Sequence, residues 1–401
     1  MEKIYIVDGL RTPIGSFMGS LKTLSAPKLG SAVIRALLAN NGLKGSEVNE
    51  VIVGNAMGAG EGMGPGRQAA IGGGIPVEVP AYSINILCCS GMKAIMNAMS
   101  EIVAGNADLC IAGGMESMTN APYIMPAKIR GGAKMGDLTL HDAMLLDGLT
   151  DAFNNYHMAI TAENIAEMHK ITREAQDEFA LNSQHKAIKA VDSGEFKDEI
   201  VPMEIVDGKN TFTFDTDEYP NRTTNAEKLA KLRAAFKSDG TITAGNSSGI
   251  NDGAAFVIVA SESALKKFSL KPKAQIIAAA QAGIDPKIMG LGPVQAIGTA
   301  LKRAGMKLSD MNFIELNEAF AAQSLGVIRE ISQNHGEKEA AIINRCNVNG
   351  GAIALGHPLG CTGARITITL MNILKKRNAQ YGLASLCAGG GMGTALIIKN
   401  I

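Results

Sequence analysis

The sequence has no excess charge, no dense run of Lys and Arg, no CxxC pair and no long apolar stretch. Each absence excludes a class of function. Thirty-eight basic residues balance thirty-eight acidic ones, so the electrostatic footprint of a nucleic-acid partner is missing. The longest apolar runs fall far short of the roughly 20 residues a membrane span needs, so no membrane is expected. Six cysteines occur, Cys88, Cys89, Cys110, Cys346, Cys361 and Cys387. Without CxxC spacing, zinc and thioredoxin-type chemistry are not expected, and no metal site is read. Met1 leads straight into the strand-like Lys3 to Val7, which is no secretory leader. The closing residues Ile397 to Ile401 are no Ser-Lys-Leu address. Reduced thiols in a cytoplasm are the expectation.

What is present describes a globular enzyme-sized chain. Hydrophobic residues make up 46% and charged residues 19%, so no part is compositionally disordered, and 401 residues suffice for two or three domains. Glycine is abundant and clusters in turns, as in Gly54 to Gly66 and Cys387 to Gly393, where backbone can approach a ligand.

The stretch Ser83 to Val103 organises the rest. Met92, Ile95, Met96, Met99, Ile102 and Val103 form an apolar stripe at helical spacing, broad enough for a helix packed inside the protein. Cys88 and Cys89 precede it, at the first turn, where free N–H groups and the macrodipole favour a thiolate. A cysteine there is equally a small buried hydrophobe.

Along the chain the order strand, helix, turn, strand occurs twice. Ile4 to Val7 reads as a strand, followed by a helix with Leu29, Val33, Ile34, Leu37 and Leu38 inward. Later, Ala274 to Ala280 reads as a strand and Pro293 to Ala304 as a helix. The segments that follow match residue against residue, from Leu43/Met306 to Asn55/Glu318. Each half then reaches an apolar strand running into glycines, at 108–116 and 383–393. Two related α/β halves are expected, residues 1–116 completed by 246–270, and residues 271–401. Between them, 117–245 is more charged and holds most of the histidines, with helices expected over 161–193 and 226–236. Thr161 to Asn164 is read as the start of the first. This insertion reads as a lid or substrate-binding subdomain. Ala254 to Ala260 reads as a strand returning to the first half's sheet.

Three further residues join the thiols as candidates. Asn317 ends the strand Phe313 to Leu316, where ligand-facing groups project from α/β sheets, although an ordinary turn asparagine reads the same way. His357 sits among glycines before Pro358, on a tight turn at a helix start, suited to a base or a hydrogen-bond donor. The four-residue gap from Gly351 to Gly356 resembles a phosphate loop, but His-Pro stands where Lys-Ser/Thr is required. Cys387 ends a strand and enters Ala-Gly-Gly-Gly, whose N–H groups can hold an oxyanion while the thiol moves a proton. A single Cys-His-Asn set suits a cysteine hydrolase equally well; the second thiol breaks the tie.

These residues lie in motifs that resemble the thiolases, and most of all their short-chain acetyl-CoA acetyltransferase branch: NILCCSGMK at 85–93, AGGMESM at 112–118, HMAITAEN at 157–164, AGNSSGINDG at 244–253, NEAF at 317–320, GHPLGCTG at 356–363 and CAGGGMG at 387–393. The resemblance spans essentially the whole chain. It implies two βαβαβαββ halves in a five-layer αβαβα sandwich with 117–245 as an inserted loop domain. It also implies a homotetramer, a dimer of dimers tied by the loop at 121–140. Carried over, Cys88 is the acylated nucleophile, His357 activates it, Cys387 is the acid/base, Asn317 positions a water, and the N–H groups of Cys88 and Gly389 hold the tetrahedral oxygen. His157, Met158, Phe236, Ser248, Met289, Ala319 and Phe320 match positions lining the pantetheine and acyl site. The implied reaction is the reversible condensation of two acetyl-CoA to acetoacetyl-CoA and CoA, with CoA thioesters as substrates and no further cofactor.

The sequence departs from the resemblance at two points. Asn221 stands where relatives commonly carry the arginine near the CoA nucleotide, with Arg222 one residue on. Cys89 replaces the usual glycine or alanine after the nucleophile. A 3-ketoacyl-CoA thiolase acting on longer chains is the alternative reading, and Met158 and Met289 as bulky pocket residues favour short acyl groups. A decarboxylating ketoacyl synthase pairs its cysteine with two histidines, against Cys387 here. A non-catalytic CoA or lipid carrier would lack the nucleophile.

Overall fold

The computed structural model describes residues 2–401. Its strands alternate faces, and the two faces bury different partners. In β1 (Ile4–Arg11), Ile4 and Ile6 point to one hydrophobic cluster while Val7 and Leu10 point to another. The helix α1 (Ala26–Asn40) starts with Pro27 in its first turn and buries all five apolar residues its spacing marks. Thereafter come β2 (Glu50–Gly54), α2 (Pro65–Gly72), β3 (Ala81–Ile84), α3 (Ser90–Val103) and β4 (Leu109–Ser117).

The insertion supplies α4 (Met158–His169), α5 (Arg173–Asp192), the hairpin β5 (Met203–Asp207) and β6 (Asn210–Phe214), and the short α6 (Ala226–Ala230). The chain then returns as β7 (Asn251–Ser261), pairing antiparallel with both β1 and β4. The second half runs β8 (Ala274–Gly283), α7 (Gly292–Ala304), β9 (Phe313–Leu316) and α8 (Ala321–His335). It continues through α9 (Glu339–Arg345), α10 (Ala352–Leu355), α11 (Leu359–Lys376), β10 (Tyr381–Ala388) and β11 (Met392–Asn400).

The strand order is β3-β2-β4-β7-β1-β8-β11-β10-β9, with the halves meeting where β1 pairs with β8 over only three residue pairs. On each side the pairings mirror one another. β2 is parallel to β4 as β9 is to β10, and β4 is antiparallel to β7 as β10 is to β11. β1 and β8 carry matching register shifts, at Ile6/Asp8 and Ile276/Ala278. One element differs: the counterpart of β3 is reduced to a single parallel bridge, Ile314 to Cys346.

Three clusters build five layers. α1 and α2 cover the outer face of the first half's strands, and α7 and α8 that of the second. α3 and α11 pack between the two sets of strands, joined by Met92, Ile95, Cys361, Ala364 and Ile368. Bare backbone makes that crossing close. A Cβ on Gly91 would lie 2.7 Å from Gly360 O, and one on Gly363 would lie 2.4 Å from Met92 N.

The insertion departs from the sequence reading at three points. Its first helix begins at Met158, ahead of Thr161, because His157 caps it through Nδ1 accepting Ala159 N–H at 3.1 Å. The expected single helix is two, broken where Lys170 takes a left-handed conformation and Thr172 caps the next. The helix expected over 226–236 closes at Ala230. None of the helices is long and apolar enough to cross a membrane, among the described residues.

Candidate active site

Cys88 sits in a single 3-10 turn, Leu87–Cys89, between β3 and α3. Leu87 has φ 54°, a conformation that costs a β-carbon-bearing residue about 1–3 kcal/mol. Side chains hold it there. Asn85 Oδ1 accepts Leu87 N–H at 2.9 Å, Ser90 Oγ accepts Ile86 N–H at 2.9 Å, and Ser90 Oγ donates to Leu87 O at 2.6 Å. The turn presents Cys88 half-buried beside Gly389 rather than within the helix.

The expected thiolate is not the resting state. Burial pushes the Cys88 thiol up to about 12, outweighing the N–H groups of Gly389 and of Cys88 itself that donate toward it. The macrodipole effect is worth at most about 2 kcal/mol, and desolvation wins. Cys387, on β10 and 1% exposed, is raised well above 9 by burial, and the neighbouring Cys88 and Cys89 sulfurs raise it further. The two candidate thiols, one from each half, therefore lie within reach of each other's charge. Cys89 is fully buried, its thiol directed at Leu386 O at 3.4 Å.

His357 and Asn317 form a second pair. Asn317 Nδ2 lies 3.4 Å from His357 Nε2, both residues buried. The other ring nitrogen, Nδ1, lies 2.7 Å from Thr362 Oγ1, whose one hydrogen is given to Pro358 O at 2.9 Å. Thr362 must then accept from Nδ1–H, which assigns the lone pair to Nε2. Burial, then the charge of Arg365, lowers His357 to about 3, so the imidazole is neutral. Asn251 Oδ1 accepts His357 N–H at 2.9 Å, and Gly356 (φ 98°) leaves room for that asparagine, which a Cβ would strike at 2.5 Å.

The other sequence candidates divide. Met158, Met289, Ala319, Phe320 and Cys387 share one apolar cluster. His157 stacks on Phe236 at 4.2 Å and 13°, and burial lowers its pKa. Ser248 N–H donates to Ala319 O at 3.0 Å. Gly389 lies between Leu87 and Met158, where a Cβ would meet Leu87 Cδ1 at 3.0 Å and Met158 Sδ at 3.3 Å. A hollow of about 760 Å³ opens here, lined by Ala56, Leu87, Phe153, Met158, Gly389 and Met392 among others. Arg222 is not brought to it. It lines a separate hollow with Tyr219, Ala244 and Gly245 and pairs with Asp192 at 2.6 Å on the surface.

Residues the sequence reading passed over frame these groups. Glu116, at the end of β4, is 0% exposed and accepts four hydrogen bonds. Burial pushes it up to about 7 against the pull of those N–H groups. Asn85, Glu116, Asn251 and Thr362 all lie inside the motifs that carry Cys88, His357 and the glycine turns. Their polarity beside apolar strand ends was the available signal. Among the described residues no group of three His, Cys, Asp or Glu could hold a metal ion.

Residues 4–263 match the family model of the thiolase N-terminal domain, and residues 270–400 that of the thiolase C-terminal domain. The acetyl-CoA acetyltransferase of Pseudomonas aeruginosa is 51% identical over 401 residues, the full length of both chains. Among solved structures, the Bacillus anthracis acetyl-CoA acetyltransferase superposes with a TM-score of 0.95 at 41% identity, covering 100% of this chain and 99% of its own. Human mitochondrial 3-ketoacyl-CoA thiolase does so with 0.94 at 43% identity and the same coverage.

Proposed function

The chain belongs to the thiolase family, and from that premise we propose that it is an acetyl-CoA C-acetyltransferase, running the reversible Claisen condensation of two acetyl-CoA to acetoacetyl-CoA and CoA. The full-length identity to acetyl-CoA acetyltransferases supports the reading. The observation that carries it furthest is the approach of two thiols from opposite halves. One acyl group must be held as an electrophile while a proton is removed from a second, so a nucleophile and a separate base are both needed.

In the first half-reaction Cys88 Sγ attacks the thioester carbonyl while its proton passes to His357 Nε2, the nitrogen that carries the lone pair. The tetrahedral oxygen lies between the N–H groups of Cys88 and Gly389, which already point at the sulfur. The C–S bond to CoA breaks and Cys387 protonates the departing sulfur, becoming a thiolate. That thiolate then takes the α-proton of the second acetyl-CoA. The burial that raises Cys387 makes it a strong base. His357, now carrying Nε2–H, and a water held by Asn317 stabilise the enolate oxygen. Its carbon attacks acetyl-Cys88, and Cys88 leaves with the proton of His357. No step calls for a cofactor beyond the CoA thioesters.

Met158, Met289, Ala319 and Phe320 close the acyl site, with His157, Phe236 and Ser248 toward the pantetheine arm and Arg222 toward the nucleotide end. The domain division at 116/117, 245/246 and 270/271 follows the twin strand pairings on either side of the insertion. A cytoplasmic homotetramer completes the proposal. Tyr123, Met135 and Leu140 on the 121–140 segment are 68%, 98% and 52% exposed, an apolar surface suited to a second pair of subunits. A 3-ketoacyl-CoA thiolase of longer chain range shares this fold; the methionines in the acyl site favour the short-chain reading.

The test is to mix the protein with acetoacetyl-CoA and CoA and follow the enolate absorbance, then repeat with a longer 3-ketoacyl-CoA. CoA-dependent loss with preference for acetoacetyl-CoA supports the proposal. A hydrolase or a carrier shows no CoA dependence.

A further inference from the structure

Resting on the acyl-transfer reading, we propose that Glu116 and Asn85 are positioning residues that hold the turn carrying Cys88 in register with the helix that follows His357. An unbroken series of hydrogen bonds joins the two. Gly360, three residues after His357, donates its N–H to Glu116 Oε2 at 2.8 Å, and the same oxygen accepts Ala56 N–H at 2.9 Å. Ala56 O accepts from Asn85 Nδ2 at 3.0 Å, and Asn85 Oδ1 accepts Leu87 N–H at 2.9 Å. Leu87 is the residue bonded to Cys88.

The chemistry of each link is specific. Glu116 Oε1 is occupied by Asn55 Nδ2 at 2.9 Å and Met57 N–H at 3.0 Å, so both carboxylate oxygens face two donors each. A glutamine there would turn an N–H against a donor. Asn85 uses one side chain as donor and acceptor to two backbone segments, which neither serine nor aspartate does in the same span. Asn85 is itself solvent-exposed, so its own side chain could be satisfied by water without these hydrogen bonds. Their evident effect is to fix Leu87 at its positive φ and thereby the direction of Cys88. Backbone packing sets the far end, since a Cβ on Gly114 would meet Gly360 O at 1.9 Å. β4, α11 and the 55–57 segment therefore have one relative placement, and Glu116 ties all three.

The experiment compares Asn85→Ala, Asn85→Asp, Glu116→Gln and the Asn85→Ala/Glu116→Gln double variant. It measures kcat, KM, the rate at which iodoacetamide alkylates Cys88, and the melting temperature. Asn85→Ala is expected to lower kcat by about 10- to 100-fold, with KM within about threefold. Asn85→Asp, which keeps the Leu87 contact and loses the Ala56 contact, falls between it and the wild type. Alkylation of Cys88 slows in the same order. The double variant is no slower than the slower single one, because both act through one series. Wild-type kcat in Asn85→Ala, or losses that multiply in the double variant, overturns the proposal. Should Glu116→Gln fail to fold, the two Asn85 variants decide alone: graded loss supports the relay, and wild-type kcat in both overturns it. Failure of the acyl-transfer reading is seen separately, as a wild type with no CoA-dependent loss of acetoacetyl-CoA.

Discussion

Thr362 decides which nitrogen of His357 carries the lone pair, because its own hydrogen is committed to Pro358 O. Thr362→Val keeps the shape and removes the acceptor, leaving Nδ1–H buried and free to surrender its proton to Nε2. A fall in kcat of about 100-fold is expected, with recovery in Thr362→Ser; steady-state kinetics on both variants checks it. The depressed pKa of His357 also enters stability. Below pH 6.5 the unfolded chain takes up a proton that the folded chain refuses until about pH 3, so its contribution is present above 6.5 and is lost as pH falls. A His357→Asn variant lacks this dependence. The wild-type minus variant difference in unfolding free energy should shrink by up to ~1.4 kcal/mol per pH unit across that window, read from urea titrations at several pH values. Cys89→Ala is expected to retain most activity while Cys88→Ala loses acyl-enzyme formation, checked with radiolabelled acetyl-CoA. At this scale the sequence was legible for where the candidate groups sit, with Cys88 just before α3, His357 just before α11 and Cys387 near the end of β10. It was illegible for their state: the low pKa expected for Cys88 ignored a desolvation that only the packed structure reveals.

The elements that bring these residues together are α3 and α11, whose first turns cross on bare backbone. Gly363→Ala would drive a Cβ to 2.4 Å from Met92 N, against atoms that cannot rotate away. A loss of about 1–3 kcal/mol is expected, together with lower kcat because both catalytic turns move. Gly298→Ala in α7 is the contrasting case, since nothing lies within 4 Å. A gain of about 0.5–1 kcal/mol with unchanged kcat is expected from chemical denaturation and kinetics. The repeat that builds these elements was readable because its turns reuse the same capping chemistry. Glu47 accepts Lys44 N–H as Asp310 accepts Lys307 N–H, both at 2.8 Å. Asn49 accepts two N–H groups from β4 and its approach as Asn312 accepts two at β10, all at 2.9 Å. The break at Lys170 and the start at His157 were not readable. A lysine in the left-handed region and a histidine as cap carry no pattern distinct from helix interior.

For the molecule as a whole, the two halves contribute unequally to the proposed site: Cys88 and Glu116 from the first, Asn317, His357, Cys387 and Gly389 from the second. The hydrogen-bond series through residues 56, 85, 116 and 360 crosses that boundary, and no sequence window spans it. The exposed apolar residues at 121–140 bear on the proposed assembly at this scale. Tyr123→Glu with Met135→Glu is expected to convert the proposed tetramer to dimers in sedimentation while thiolysis persists in each dimer. The division of labour between the two sulfurs is tested most directly by peptide mass mapping after incubation with acetyl-CoA, in the wild type and in Cys387→Ala. Wild-type protein is expected to carry one acetyl group on the Cys88 peptide, discharged by a second acetyl-CoA as acetoacetyl-CoA. In Cys387→Ala the acetyl group still reaches Cys88, more slowly, and no acetoacetyl-CoA forms. An acetyl group on any residue other than Cys88, or acetoacetyl-CoA formed at the wild-type rate without the Cys387 thiol, would contradict that division of labour.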